Sequence, residues 1–387
     1  MKLRRAPLED WMRDFYFDTS IDLGSSGVQC WTLAELRGLL DISHEDLDAI
    51  AFDDSPSYGG PGLRTALADR FGDGDPDRVM STHGSTEGIF LVMNALLGPG
   101  DEIVVIDPGY HSLWSVAESI GCSIKRWRLR PEDGFTPDLD ALRPLITPRT
   151  RMVVVNLPNN PTGATLRPEQ FDEFLDIVTA SGAYLVWDGA FTELTHGTPQ
   201  LPEPALRYER CLSLGTMSKA YGLPGTRVGW CLGAPDLLAR LLPLRDVLTI
   251  CLSPFTEYIA ERAVTHADRL LSIRGAQTAR NLRRLTDWAD DHADLVSWTP
   301  PGGGCTAFPT FHGISDTEQL CRDLGRDYDV LLVPGSGFGH PDRVRLGFGG
   351  VEAEFTEGLD RLRRALETRT APARRTGTRP IEGALAR

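Results

Sequence analysis

Ser213-Leu214-Gly215-Thr216-Met217-Ser218-Lys219-Ala220-Tyr221-Gly222-Leu223-Pro224-Gly225-Thr226-Arg227-Val228-Gly229-Trp230 decides how this chain is read. The apolar run Leu212-Ser213-Leu214 leads into a loop that concentrates hydroxyls, glycines, one lysine and one arginine, and Val228-Gly229-Trp230-Cys231-Leu232 leads out of it. The pattern is strand, loop, strand. Its chemistry suits a phosphorylated aldehyde: the amine can form an imine, while Thr216, Ser218 and Arg227 offer hydrogen bonds and charge to a phosphate dianion. A lone loop lysine is more often a solvated surface residue. Here the amines are few, because among 40 basic residues only Lys2, Lys125 and Lys219 are lysines.

Upstream, Glu102-Ile103-Val104-Val105-Ile106, Arg151-Met152-Val153-Val154-Val155-Asn156 and Tyr184-Leu185-Val186-Trp187-Asp188 are short apolar runs, the first two β-branched and ending in Pro-rich turns. Buried parallel strands read this way. From about residue 61 they alternate with helical spacing, as in Pro61-Gly62-Leu63-Arg64-Thr65-Ala66-Leu67-Ala68, so the fold class is α/β. In such a sheet the ligand lies at the strand C-terminal ends. After Leu270 an Arg-rich helical stretch precedes Gly302-Gly303-Gly304, Val330-Leu331-Leu332-Val333-Pro334 and Val344-Arg345-Leu346-Gly347-Phe348, which reads as a smaller α+β domain. The expected organisation is an N-terminal arm over 1–40 that joins the small domain, a large domain over 41–270, the small domain over 271–370, and a tail from 371 to 387 without apolar periodicity.

Composition narrows the partner. With 40 Lys+Arg against 54 Asp+Glu, the net charge is −14, so nucleic acid held by phosphate neutralisation is disfavoured and a small molecule preferred. No run of 18 apolar residues suggests a membrane span, and Glu9, Asp10 and Trp11 interrupt the place where a signal peptide needs its apolar stretch. A cytoplasmic location is expected. Seven widely spaced cysteines with no C-x-x-C pair indicate neither a disulfide framework nor a zinc site.

Three more segments add polar groups. Ser85 and Thr86, in Thr82-His83-Gly84-Ser85-Thr86-Glu87-Gly88, precede an apolar helical pattern and would meet a phosphate at a helix N-terminus; a plain Ser/Thr cap is the simpler alternative. Asn159-Asn160-Pro161-Thr162-Gly163 follows the strand ending at Asn156, and Asp188 ends the next strand. An amide and a carboxylate therefore project from adjacent strand tips.

Jointly these segments resemble the fold type I pyridoxal-5′-phosphate enzymes of the aspartate aminotransferase superfamily, from about Ser57 to Gly349. The resemblance implies a mainly parallel seven-stranded sheet flanked by helices, and a homodimer. It implies that Lys219 is the Schiff-base lysine, that Asp188 pairs with the pyridine nitrogen, that Asn160 bonds the ring phenolate oxygen and contacts substrate, and that Tyr110 stacks on the ring. It places Ser85, Thr86, Thr216 and Arg227 on the phosphate, with Tyr58 reaching the phosphate of a neighbouring subunit. Arg345 would clamp the substrate α-carboxylate.

One position departs from the aminotransferase pattern: three residues after Asp188, where a tyrosine usually bonds the phenolate oxygen, stands Phe191. Transamination then loses a hydrogen bond to a charged oxygen, about 1.5–3 kcal/mol. A narrower likeness, in Asp188 to His196, Ser218 to Trp230, Pro108 to Leu113 and Ser25-Ser26-Gly27-Val28, is to the capreomycidine synthases and the streptolidine-forming enzymes of streptothricin biosynthesis. These cyclise hydroxylated arginines, which makes a β-hydroxylated arginine the expected substrate and Ser25 a candidate contact to it. Aminotransfer between an amino acid and a 2-oxo acid is the alternative. Glu9, Asp10, Asp14 and Asp22 are candidate partners for the guanidinium, and His83 and His111 candidate assistants for hydroxyl departure, although such histidines are usually structural or solvated.

Overall fold

The computed structural model describes residues 3–370. Its central sheet has seven strands: β1 (Val79–Thr82), β2 (Glu102–Asp107), β3 (Ser123–Arg128), β4 (Thr150–Asn156), β5 (Tyr184–Asp188), β6 (Cys211–Thr216) and β7 (Gly229–Gly233). They lie side by side in the order β1-β7-β6-β5-β4-β2-β3. The five strands from β3 to β6 pair in parallel, and β7 runs antiparallel to both β6 and β1. The sheet is therefore mainly parallel, as expected.

Burial on both faces explains the continuous apolar strands: Val153, Val154, Val155, Leu185 and Val186 are fully enclosed. The helix Pro168–Ser181 crosses from β4 to β5 and packs Phe171 against Trp187, ring centroids 5.6 Å apart. Two strands escaped the sequence reading. Ser123-Ile124-Lys125-Arg126-Trp127-Arg128 forms β3 at the sheet edge, where solvent permits charged side chains; β1 is only four residues long.

Beyond the helix Ala267–Asp291 the strands are short. Thr306–Ala307, Val344–Gly347 and Val333–Pro334 make a three-stranded antiparallel sheet, while Val296–Ser297 pairs with Thr310–Phe311. The first residues of the chain join this group. Ile21–Asp22 pairs in parallel with Val330–Leu331, and Trp11 on the helix Pro7–Phe15 donates its indole N–H to the Leu332 carbonyl at 2.8 Å. The limit expected between residues 270 and 271 falls inside the helix Ala267–Asp291. The tail expected over 371–387 lies outside the described residues.

Candidate active site

The loops after β2, β4, β5 and β6 converge on a cavity of about 540 Å³ that is also lined by the N-terminal segment and by Arg345. Of the side chains singled out as site residues from sequence, Lys219, Asp188, Asn160, Tyr110, Thr216 and Arg227 line it. So do Ser85, Thr86, Ser25 and Arg345. Tyr58 does not; its ring lies beside Arg64, whose guanidinium carbon is 5.5 Å from the ring centre.

The amine of the half-buried Lys219 donates to the Ser26 hydroxyl at 2.8 Å. Burial, with the Arg345 guanidinium adding to it, lowers its pKa from the ordinary lysine value to about 8. Its Nζ also sits 5.7 Å from the centre of the Phe191 ring. The Asp188 carboxylate is 5% exposed and accepts the Ala190 N–H at 3.1 Å, with no basic side chain in ion-pair contact among the described residues. Burial raises its pKa to about 6, against the lowering effects of that N–H and of Lys219. Such a carboxylate is set for a cationic partner.

Asn156, at the tip of β4, orients its neighbours: its Oδ1 accepts the Asn160 N–H at 2.8 Å and its amide donates to the Asp188 carbonyl at 3.0 Å. Asn160 Oδ1 in turn accepts from Arg345 Nη1 at 3.4 Å. Arg345 is 3% exposed, and its Nε and Nη2 donate to the Gly24 carbonyl at 3.1 and 2.8 Å. Burial lowers its pKa to about 10, with Asp22 the foremost of the groups opposing that. A buried guanidinium held only by amide oxygens, among the described residues, has the charge and the donors to receive a carboxylate.

At the other end of the cavity the helix Gly84–Leu96 begins after His83, which supplies no side-chain cap. The simpler reading of Ser85 or Thr86 as a cap does not hold, because both lie inside the first turn, where backbone N–H groups have no helical partner. Gly84 sits at φ +70°, and a Cβ there would come within 2.7 Å of Arg227 Nη2. Arg227 itself takes the left-handed conformation, φ 52°, and its Nη1 donates to the Ser218 hydroxyl at 3.2 Å. Holding a non-glycine residue there costs about 1–3 kcal/mol, a strain that collects at functional sites. Thr216 Oγ1 donates to Ser218 Oγ at 3.0 Å, and no carboxylate pairs with Arg227 among the described residues. Donors, a helix N-terminus and an uncompensated cation together fit a phosphate dianion; an amine and a buried carboxylate nearby fit an aldehyde and a protonated ring nitrogen. The whole set fits pyridoxal 5′-phosphate.

Residues 28–362 match the family described as aminotransferase class I and II. The chain belongs to that family. It is 47% identical over 378 residues to capreomycidine synthase of Streptomyces vinaceus, covering 97% of each chain. The aspartate/prephenate aminotransferase of Thermus thermophilus is more distant, 27% identical over 325 residues, with 81% of this chain and 83% of the relative covered. Among solved structures, the pyridoxal-phosphate-dependent cyclase OrfR superposes with a TM-score of 0.90 at 44% identity, covering 95% of this chain and 98% of that one. A pyridoxal-phosphate-dependent aminotransferase from Streptococcus suis reaches the same TM-score at 29% identity, covering 95% and 99%. The protein is thus a pyridoxal-phosphate enzyme of the aminotransferase superfamily.

Sequence reasoning missed several lining residues of this enzyme. Ser26 was visible only as half of a Ser-Ser pair, and Glu354 only as one of many surface acids. Of the candidate acids in the N-terminal arm, Glu9 and Asp22 line the cavity; Asp10 does not, and pairs with Arg5 and Arg13. Asp14 does not line the cavity either, nor do His83 and His111. The His83 imidazole lies 3.5 Å from Glu87, and His111 packs edge-on against Tyr110. Among the described residues no helix is long and apolar enough to cross a membrane.

Arg345→Ala removes two charge-assisted hydrogen-bond donors from the cavity. We expect KM for an amino-acid substrate to rise about 10- to 100-fold, with a smaller change in kcat, in steady-state kinetics. An unchanged KM would dismiss Arg345 as the carboxylate receptor.

Proposed function

We propose that this enzyme cyclises a β-hydroxylated arginine, 3-hydroxy- or dihydroxy-arginine, to a capreomycidine- or streptolidine-type ring. The observation that carries the reading is the likeness to capreomycidine synthase, 47% over nearly the full length of both chains, against 27% for the aspartate/prephenate aminotransferase. Phe191 supports it, since its ring stands beside Lys219 and offers no hydroxyl.

In this reading Lys219 holds the cofactor aldehyde, Ser85, Thr86, Thr216 and Arg227 hold its phosphate, Tyr110 lies against its ring and Asn160 donates to its phenolate oxygen. When bound, pyridoxal phosphate supplies an electron sink for the pair released at the substrate Cα. Asp188 keeps a proton on the ring nitrogen. Arg345 binds the α-carboxylate, Asn160 and Ser25 border the substrate, and Lys219, displaced as an amine, takes the Cα proton on Nζ. Its depressed pKa suits a base near neutral pH. The β-hydroxyl departs with a proton as water, a guanidine nitrogen gives up a proton as it bonds to Cβ, and Nζ returns a proton to Cα, so substrate and product differ by one water. Tyr58 reaches the phosphate of a second copy, which makes the working enzyme a homodimer. The division into large and small domains near residue 270 and a cytoplasmic location, consistent with seven unpaired cysteines, complete the proposal.

The test is incubation of holoenzyme with arginine, 3-hydroxy-arginine or 3,4-dihydroxy-arginine without any 2-oxo acid, followed by mass spectrometry. Loss of one water from a hydroxylated substrate, with the aldehyde cofactor recovered, supports cyclisation; NMR of the product then shows the ring. Stoichiometric pyridoxamine phosphate and a 2-oxo acid product would make the enzyme an aminotransferase.

Phe191→Tyr restores a hydroxyl at the position where aminotransferases carry one. We expect the half-reaction that yields pyridoxamine phosphate to accelerate by about tenfold or more, as a hydrogen bond to a charged oxygen implies. Single-turnover absorbance reads it, and an unchanged rate would remove Phe191 from the argument for cyclisation.

A further inference from the structure

The cavity holds more negative charge than its cofactor and reaction centre use. Lys219, Arg227 and Arg345 have the assignments proposed above, as does Asp188; the fourth lining cation, Arg13, pairs with Asp10 outside the cavity. Three lining carboxylates remain, Glu9, Asp22 and Glu354, and none of them forms an ion pair among the described residues. A cavity with such an excess is matched by a ligand with a cationic side chain.

The three are not equivalent. Glu354 is exposed at the rim. Asp22 spends Oδ1 on the backbone N–H groups of Gly24 and Ser25, both at 2.8 Å, and so fixes the turn that carries the Gly24 carbonyl to Arg345. Glu9 differs, because its only side-chain hydrogen bond among the described residues is accepted from the Tyr110 hydroxyl at 2.7 Å. That bond orients the carboxylate through Oε1 and leaves Oε2, with the remaining lone pair of Oε1, for a planar donor. The backbone on which Glu9 stands is anchored as well, since Trp11 on the same helix donates to Leu332. Glu9 acts electrostatically on both Lys219 and Arg345. Ring closure requires the guanidine nitrogen to approach Cβ, one bond from the carbon that Lys219 serves. The receptor for the guanidinium must therefore lie near Lys219 as well as near the carboxylate clamp.

We infer that Glu9, positioned by the Tyr110 hydroxyl, is the residue that receives the substrate guanidinium and sets the preference for arginine-type side chains. The inference rests on the proposed cyclisation of a hydroxylated arginine. Tyr110 then has two duties, its ring toward the cofactor and its hydroxyl toward the specificity carboxylate.

The experiment compares binding of arginine and norvaline to holoenzyme, read by the change in cofactor absorbance, in the native chain and in Glu9→Gln and Asp22→Asn. Both substitutions keep side-chain size and an acceptor oxygen. With Glu9→Gln, the preference for arginine over norvaline should fall by about tenfold or more, while norvaline affinity stays within about twofold. Asp22→Asn should leave that preference in place. If Glu9→Gln retains the preference of the native chain, or if only Asp22→Asn abolishes it, the assignment to Glu9 is overturned while the cyclase reading stands. If the native enzyme itself shows no preference for arginine, the substrate reading falls and takes this inference with it.

Discussion

Lys219→Ala yields a folded chain that carries no covalently fixed cofactor after borohydride reduction and turns over at least about 10²- to 10⁴-fold more slowly, the range for losing a positioned base. The effect is large because Lys219 is the one lysine among the described residues that lines the cavity. Lys125 pairs with Glu102 at 2.8 Å and donates to the Leu145 carbonyl, and it does not line the cavity. The pH profile adds a second reading. With the Lys219 pKa lowered to about 8, the amine is protonated below that value and free above it. The rate should therefore rise with pH, about tenfold per unit well below 8, and level off above it. That limb belongs to Nζ and should be absent from the residual activity of Lys219→Ala. Peptide mapping after reduction identifies the modified residue, and a cofactor tag on any peptide without residue 219 would overturn the assignment.

The parts of this site that were legible from sequence share a physical property: each lies within a few residues of an apolar strand. Asn160, Asp188 and Thr216 hang from the ends of β4, β5 and β6, where a β-branched or otherwise apolar run announces the strand and the next polar residues must face the ligand. Lys219 and Arg227 belong to one loop between two such runs. What escaped depends on distant contacts. Ser26 meets Lys219 across 193 positions, and the segment that carries it is held by the pairing of Ile21–Asp22 with Val330–Leu331. No local periodicity encodes that meeting. The same holds for Glu9, which could be named among four acids but not separated from Asp10 and Asp14, since only the turn of the helix Pro7–Phe15 brings it to Tyr110. Strand β3 was hidden for another reason, because an edge strand need not be apolar on both faces.

Asp188→Asn should lower turnover about 10²- to 10⁴-fold while leaving KM for the α-carboxylate, which we assign to Arg345, nearly unchanged. The magnitude follows from removing one member of the buried ion pair we propose between Asp188 and the ring nitrogen, about 3–5 kcal/mol. Asparagine fills the same volume and can accept the Ala190 N–H that the carboxylate accepts at 3.1 Å, so the backbone after β5 has no reason to move. What is lost is charge in a place where burial, outweighing the Ala190 N–H and Lys219, already raises the carboxyl pKa to about 6. A protonated ring nitrogen beside Asp188 would draw that pKa down again, and the carboxylate would hold the proton on nitrogen; a neutral amide does neither. Replacing the natural cofactor with its N-methyl pyridinium analogue separates this electrostatic role from a merely structural one. The analogue is cationic whatever residue faces it, so it should return part of the lost activity to Asp188→Asn. A variant damaged in its fold would melt earlier and gain nothing from the analogue, and either result would remove the ring-nitrogen role from Asp188.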